Sequence, residues 1–317
     1  MTPKTALLIP CYNAERYLPS LKRQIEELNP AFDEVLLVDD GSTDRTVERG
    51  RELGLEIEPL GANRGPGAAR NAAAKKTKAE WIHFHDADDE IHENYLRTVL
   101  PFIKEGIDVI LSSSLFIDEK TKKTILKWQF DNRLWAVSPV LGALKTGVNT
   151  TSSFIRKNKF DAIGGFNEQF RCWEDGDMHL RLALSGAKFF AVQDTLTTSL
   201  RHSRGTSGSH LYCHRCRLSF LKKYSENKEK LPKDILVSEI IQNAEWLFQK
   251  GDISSVIDSI RLAEKHGWKG PFTKNRILSF LLKINSSFLR KTAFFFQMYG
   301  RYFISEIIKI RKTNSEK

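Results

Sequence analysis

The sequence predicts an α/β fold: a mostly parallel central sheet with helices on both faces, followed by a helical C-terminal region. Three observations carry this expectation. Over the first 110 residues, short apolar runs alternate with helical stretches. Polar clusters come directly after three of those runs. Beyond residue 210 the strand pattern gives way to helical periodicity. A chain of 317 residues is long enough for one large domain and an appendage. Its 41% hydrophobic and 28% charged content is that of an ordinary folded protein.

In order along the chain, Thr5–Ile9, Glu34–Val38, Leu55–Pro59, Glu80–His85 and Asp108–Leu111 read as strands. Glu15–Leu28, Thr43–Leu53, Gly67–Lys76 and Glu93–Lys104 read as the helices between them. Apolar strands alternating with helices predict a parallel sheet covered on both faces. Ligands of such sheets bind beyond the carboxyl ends of the strands. Pro10–Asn13, Asp39–Asp44 and Asp86–Asp89 all follow strands, so the three clusters can share one crevice. From Leu115 to Ser209 the pattern mixes strands with a helix at Asp177–Ser185, then the strands Lys188–Val192 and Thr195–His202. Residues 1–210 are therefore expected as one domain with halves at 1–110 and 111–210.

Residues 211–268 are expected as a helical extension. Asp234–Gln249 and Ile253–His266 form a tetratricopeptide-like hairpin, although stable arrays of that kind need about three units. His210, Cys213, His214 and Cys216 fall on a helix, His210–Tyr224; one Cys-x-x-Cys without a second pair is a weak zinc signal.

Charge divides the chain unevenly. Lys+Arg against Asp+Glu is 28 to 29 over residues 1–210, 10 to 8 over 211–268 and 11 to 2 over 269–317. The net charge of +10 thus belongs to the tail, and a neutral main domain argues against a nucleic-acid binder. Residues 269–317 mix aromatic, apolar and basic side chains without an uncharged run of the about 18–20 residues that span a bilayer. They are expected to lie as a basic amphipathic tail on an anionic membrane surface, with packing on the protein's own core as the alternative. No apolar leader segment opens the chain, and four unevenly spaced cysteines suggest a reducing compartment. Together these predict a cytoplasmic protein attached to the inner face of the cell membrane.

The chemistry-bearing residues are mainly acids. Asp86 and Asp88 stand two apart after a strand and can face one site. Two carboxylates so placed repel unless a cation neutralises them, and Mg²⁺ or Mn²⁺ prefers such oxygen ligands. Alone, the same acids read first as an acidic turn that caps the helix starting near His92. Asp39 and Asp40 occupy a βα turn where an acid can accept from a base or ribose; Ser42 or Thr43 can cap the helix that follows. Gly65 and Gly67 allow close backbone approach before a helix whose N-terminus favours anions, and Arg70 is placed to contact a nucleotide. Glu174, Asp175 and Asp177 open another helix, and a carboxylate there can act as a general base.

Taken in order, Pro10–Glu15, Val38–Asp44, Asn63–Asn71, Asp86–Asp89, Ile163–Glu168 and Glu174–Asp175 closely resemble the family 2 glycosyltransferases of GT-A fold, over roughly residues 4–210. The resemblance implies a nucleotide-sugar donor, UDP by family frequency, bound in the 1–110 half, with acceptor and catalytic groups in the 111–210 half. It implies that Pro10, Tyr12 and Glu15 line the base and ribose pocket, that Asp40 or Asp39 accepts from the base, and that Arg70 and Asn71 lie on the nucleotide. Asp86 and Asp88 match the metal-binding acid pair, with Asp88 on Mn²⁺ or Mg²⁺, and His202 resembles a late histidine that joins them. Gly165 and Phe166 would shape the acceptor side. Of the catalytic acids Glu174 and Asp175, Asp175 matches the base. The implied activity is metal-assisted transfer with inversion to a glycan or lipid-linked acceptor, in the biosynthesis of a cell-surface polysaccharide. A sugar nucleotidyltransferase is the rival enzyme, but it would carry a Gly-rich basic loop where Pro10–Asn13 stands. An inactive membrane-associated scaffold is the rival of another class.

Overall fold

The computed structural model describes residues 3–201, 210–226, 231–270, 291–295 and 297–299. The chain divides into two compact units, Met1–Ser209 and His210–Lys317.

The first unit is built on a nine-stranded sheet. β1 (Thr5–Cys11), β2 (Glu34–Asp39), β3 (Ile57–Pro59) and β4 (Trp81–Phe84) lie parallel in the order β3-β2-β1-β4. Between them run α1 (Leu18–Glu27), α2 (Thr46–Glu52) and α3 (Pro66–Lys76). β1 and β4 are buried on both faces apart from Pro10, which is why they read as continuous apolar runs. Leu7, Ile9, Trp81 and Phe154 centre the main core, all fully buried.

Past β4 the sheet becomes mixed. β5 (Glu90–Ile91), α4 (Tyr95–Val99) and a short 3-10 helix (Leu100–Glu105) lead to β6 (Val109–Asp118). β7 (Thr124–Trp128), α5 (Asn132–Val137), α6 (Pro139–Lys145), β8 (Ser153–Arg156), α7 (Lys157–Ala162), α8 (Glu174–Leu184) and β9 (Phe189–Arg201) complete the unit. β8 is antiparallel to both β4 and β6, β9 is parallel to β6, and β7 and β5 pair antiparallel with β6 and β9. The two strands expected at Lys188–Val192 and Thr195–His202 are one strand, β9, whose register shifts beside Ser112–Ser114 of β6. Bulges of that kind bend a strand without ending it, so a polar break such as Gln193–Asp194 looks like a loop in the sequence.

In the second unit, α9 (His210–Glu226), α10 (Lys233–Gln249) and α11 (Ile253–Lys265) are helices, as the periodicity predicts. α10 and α11 form the expected hairpin, and the Asp252 side chain caps α11 by accepting from the Ser255 N–H. His214 is spent on structure: its Nδ1 lies 2.8 Å from Asn243 Oδ1 and its ring stacks on Trp246. The few described residues of the tail beyond 270 pack on the protein itself. Ala293, Phe294 and Met298 are buried, and Phe294 and Met298 join Leu247, Val256 and Ile260 in a core. The apolar positions at those turns cover α10 and α11 rather than remaining open. Most of 269–317 lies outside the described residues. No described helix is long and apolar enough to cross a membrane.

Candidate active site

Register brings the acidic strand ends together. Cys11 pairs with Asp39, and Leu8 with Phe84, so the chain leaves β1, β2 and β4 at one edge. Two backbone bonds prolong the pairing: Asp40 N–H to Cys11 O at 2.8 Å, and His85 N–H to Leu8 O at 2.9 Å. The Cys11 thiol records the result. Burial and the nearby charges of Asp39, Asp44 and Asp88 push it well above the usual thiol range.

The loops at these ends hold one another. Asn13 N–H donates to Ser42 Oγ at 2.9 Å, and Thr43 N–H donates to Asn13 Oδ1 at 2.8 Å. Ser42 also donates to Asp39. The expected cap therefore fails: Ser42 and Thr43 face the β1 loop, α2 begins at Thr46, and Asp44 receives the Thr46 N–H. Glu15 accepts from the Arg45 N–H at 3.3 Å, half-buried beside that turn. Tyr12 is 51% exposed, a flat ring open to a ligand.

Asp39 and Asp40 are each only 3% exposed. Asp40 accepts from the backbone N–H groups of Arg64 and Gly65, at 2.7 and 2.8 Å. The acids expected to accept from a base thus first shape the loops at its pocket. Gly65 has φ 97°, and a Cβ there would meet the Arg171 guanidinium at 2.7 Å, so the turn into α3 needs glycine.

Arg70, one and a half turns into α3, is the centre of the site. Its guanidinium is 4% exposed and donates to Asp86 Oδ1 at 2.6 Å and to Glu174 Oε1 at 2.9 Å. It also lies 5.4 Å from the centroid of the Phe166 ring. Burial works against its charge, yet the two carboxylates hold it ionised. In return, although burial pushes the Asp86 carboxyl up, Arg70 overrides this and holds it below the usual range. Arg70 was expected on the nucleotide; the structure instead makes it the link between the β4 acids and α8. Asn71 is placed differently too. It accepts from Phe166 N–H at 2.8 Å and donates to Phe166 O and Glu168 Oε1, so its amide is spent on the Ile163–Glu168 loop. Gly165, at φ 73°, lies against it where a Cβ would be 2.5 Å from Asn71 Oδ1. Both residues face inward because α3 buries the side chains of Ala68–Asn71 against the protein.

Asp175 is half-buried at the start of α8 and accepts from the Gly176 N–H at 2.7 Å. Burial, and after it the Glu174 charge, pushes its carboxyl up to about 7, a value suited to a general base near neutrality. Asp88 is half-buried at the β4 end. Its neighbour Asp89 is buried, accepts from Ser199 Oγ at 2.7 Å and Leu200 N–H at 3.1 Å, and is raised well above the carboxylate range by burial and by Asp88 and Asp86. Asp89 therefore ties β9 to the β4 end. Nothing in the sequence separates it from Asp88 except the rule that alternate positions share a side. Two further features went unread: the loop latches Arg64–Glu168 at 2.8 Å and Arg171–Asn63 at 2.9 Å. His202 lies outside the described residues. Among the described residues, no group of three or more His, Cys, Asp or Glu side chains is arranged to hold a metal.

Comparison with known proteins identifies the family. The model of glycosyl transferase family 2 matches residues 6–169, and that of the N-terminal domain of galactosyltransferase matches residues 147–203. The poly(ribitol-phosphate) β-N-acetylglucosaminyltransferase TarS of Staphylococcus aureus is 37% identical over 116 residues, 34% of this chain and only 20% of that protein. The succinoglycan biosynthesis protein ExoU of Rhizobium meliloti is 28% identical over 201 residues, 57% of either chain. Among solved structures, residues 1–349 of S. aureus TarS with UDP-GlcNAc superimpose with a TM-score of 0.64 at 19% identity, covering 94% of this chain and 92% of that one. A Pyrobaculum calidifontis mannosyltransferase with GDP-Man and Mn²⁺ gives 0.60 at 17% identity, covering 98% and 87%. At these identities the structural likeness is one of fold. The family match, which spans more than half of the 317 residues and contains the β1, β2, α3 and β4 clusters, decides the assignment: this chain belongs to glycosyl transferase family 2.

Proposed function

We propose that the protein transfers a sugar from a nucleotide-sugar donor, UDP-linked, to a hydroxyl of a glycan or lipid-linked acceptor, with inversion. The observation that carries this reading is the Arg70 bridge. One buried guanidinium joins Asp86, of the acid pair expected on the donor diphosphate, to Glu174, the neighbour of the expected base. Transfer needs those two chemistries within one sugar of each other, and the bridge supports that spacing.

The donor's base packs on Tyr12, with the pocket floor set by Asp39 and Asp40 through the loops they hold. The donor chemistry at the β4 end suits a hard divalent cation: the carboxylates of Asp86 and Asp88 lie close enough together that both charges act on Asp89. Asp88 would hold Mn²⁺ or Mg²⁺, beside Asp86 and, in the family pattern, His202. When bound, the cation supplies charge neutralisation for the departing diphosphate. Asp175 accepts the proton of the attacking acceptor hydroxyl on the opposite side. Glu174 keeps Arg70 charged and raises the basicity of Asp175.

The names of the relatives, a poly(ribitol-phosphate) N-acetylglucosaminyltransferase and a succinoglycan biosynthesis protein, support a place in cell-surface polysaccharide synthesis. The 11 basic against 2 acidic residues of 269–317 support attachment to an anionic membrane on the cytoplasmic side, tested by liposome binding before and after deletion of that segment.

The deciding experiment is a panel of UDP-, GDP- and TDP-sugars with Mn²⁺, read as release of free nucleotide. One donor should turn over, and Asp88→Asn should abolish that turnover. A chain that hydrolyses or transfers no donor, or an Asp88→Asn variant at full rate, would overturn the reading.

A further inference from the structure

We propose that the hairpin joining β6 to β7 seats the first unit on a bilayer of anionic lipid. This rests on the membrane attachment proposed above and gives it a second surface, on the unit that carries the candidate active site.

Residues 118–128 hold four lysines, Lys120, Lys122, Lys123 and Lys127, against two acids, Asp118 and Glu119. Both acids are engaged within the fold. Asp118 accepts from the Thr121 N–H at 2.7 Å, the Thr121 hydroxyl at 2.8 Å and the Lys120 N–H at 3.1 Å, and the Lys120 charge acts on it as well. Glu119 Oε1 lies 3.1 Å from the Arg16 guanidinium. The surplus charge therefore sits on Lys122, Lys123 and Lys127. The turn that presents it is closed by the Asp118 N–H on Lys123 O at 3.0 Å and the Lys122 N–H on Asp118 O at 2.9 Å, with Lys122 left-handed at φ 55°. All four lysines are exposed.

Between Lys123 and Lys127 stand two aliphatic residues in the open. Among the described residues β7 pairs with β6 alone, and Ile125 and Leu126 are 57% and 48% exposed. Neighbours on a strand point to opposite faces, so both faces of β7 show apolar surface. An edge strand guarded only against pairing with another chain carries charge in place of such residues. Lysines flanking an exposed Ile–Leu pair suit the boundary between lipid headgroups and acyl chains. The aliphatic groups enter it, the lysine stems lie along them, and the ammonium groups reach the anionic headgroups.

The base of the hairpin is tied to the donor side of the unit. The Glu119 N–H donates to Arg201 O at 3.0 Å, and Arg16, the partner of Glu119, follows the β1 loop that carries Tyr12 and Glu15. Both arginines lie within the field of the acid pair: Asp88 acts on Arg16, and Arg201 acts on Asp86. A hairpin seated on lipid thus holds the β4 end of the sheet near the bilayer, where a lipid-linked acceptor is carried.

The test is co-sedimentation of the full chain with vesicles of phosphatidylglycerol and phosphatidylcholine in equal parts, against vesicles of phosphatidylcholine alone. The parent should bind the first and not the second. Lys120→Gln, Lys123→Gln and Lys127→Gln, made together, should weaken binding about tenfold or more, because each basic residue near such a surface contributes about fivefold; Lys122 is kept for its backbone conformation. Ile125→Ser with Leu126→Ser should weaken binding about fivefold or more. Nucleotide affinity, measured by calorimetry, should be unchanged in both variants. Amide exchange across residues 119–127 of the parent should slow on the anionic vesicles, and this measurement decides should a variant fail to fold. Variants that bind like the parent, or unchanged exchange in the hairpin of the bound parent, would overturn the hairpin and leave attachment through 269–317 standing. Loss with the lysines but none with the serine pair would mark a site for a soluble polyanion and overturn the bilayer. A parent that binds neither vesicle sinks both membrane surfaces, and one that instead forms a dimer dissolved by the serine pair assigns the β7 edge to a second copy.

Discussion

Two acidic runs, Asp86–Asp89 and Glu174–Asp177, look alike in the sequence and are used alike in the fold. In each, the first acid is paired with Arg70. In each, the last is buried in a structural role: Asp89 receives Ser199 and Leu200, and Asp177 receives the Arg181 guanidinium at 2.7 Å. In each, a middle acid, Asp88 or Asp175, is left half-buried. The difference lies in what surrounds that middle acid. Asp88 lies in the turn after β4 and shares the field around Cys11 with Asp39 and Asp44. Asp175 starts a helix and accepts from the Gly176 N–H. A carboxylate among other acids calls for a cation. A carboxylate raised to about 7 by burial and a neighbouring acid calls for a proton.

The largest effects should separate these two roles. Asp175→Asn keeps the shape and removes the base, so kcat should fall by about 10²–10⁴-fold while nucleotide affinity changes little. Asp88→Asn should lose turnover of similar size together with metal-dependent nucleotide binding. Steady-state kinetics and calorimetry on both variants check this. If the two variants show the same pattern, the runs have one role and the contrast drawn above is wrong.

Arg70 serves both runs, so its removal should be felt in the fold. Arg70→Met strands buried Glu174 and leaves half-buried Asp86 without its cation, and breaking a buried pair such as Arg70–Glu174 costs about 3–5 kcal/mol. Urea unfolding should show the loss, and Asp86→Asn should cost less because Glu174 still holds the guanidinium. A loss below about 1 kcal/mol, the range of exposed ion pairs, would mean that Arg70 is solvated and does not tie the runs together.

That bridge also marks how far the sequence could be read. The parallel half was legible because β1, β2 and β4 are apolar runs with polar ends, and register does the rest. The positions of Asp86, Asp88 and Asp175 came from motif order. What escaped was direction. Arg70 and Asn71 are polar residues in a Gly-rich turn, and such turns suggest a ligand; only the burial of one face of α3 shows that they point at protein. Asp89 escaped for a related reason, since its partners, Ser199 and Leu200, lie 110 and 111 residues away. The mixed half was read least well because β6–β9 pairing joins residues about eighty apart through a bulge, and periodicity carries no such information.

A smaller effect should appear in pH dependence. Asp175 is raised from 3.8 to about 7 by burial and by Glu174. The base works as carboxylate, so kcat/KM should rise with pH to a midpoint near 7. Stability runs the other way. A raised folded pKa gives stability that is full below the unfolded value and lost as pH climbs through the folded one. Asp175→Asn should therefore match the parent at pH ~4 and exceed it by about 1–3 kcal/mol at pH ~8. Equal stability at both pH values would show that Asp175 titrates as an ordinary surface acid.

The smallest effect belongs to the outer copy of the bridge. Arg64 and Glu168 join the same two segments as Arg70 and Glu174, at 2.8 Å, but their side chains are 58% and 38% exposed. Water screens that pair and both side chains lose freedom to make it, so Arg64→Ala should change stability by less than about 1 kcal/mol. Its geometric role is also shared, because Asn71 holds Glu168 at 3.1 Å from the buried side. A double-mutant cycle between Arg64 and Glu168, run at low and high salt, measures the pair itself. A coupling near zero at high salt is expected. A large, salt-independent coupling would mean that the two segments are fastened at the surface as firmly as in the interior, and that burial is not what makes Arg70 the dominant link.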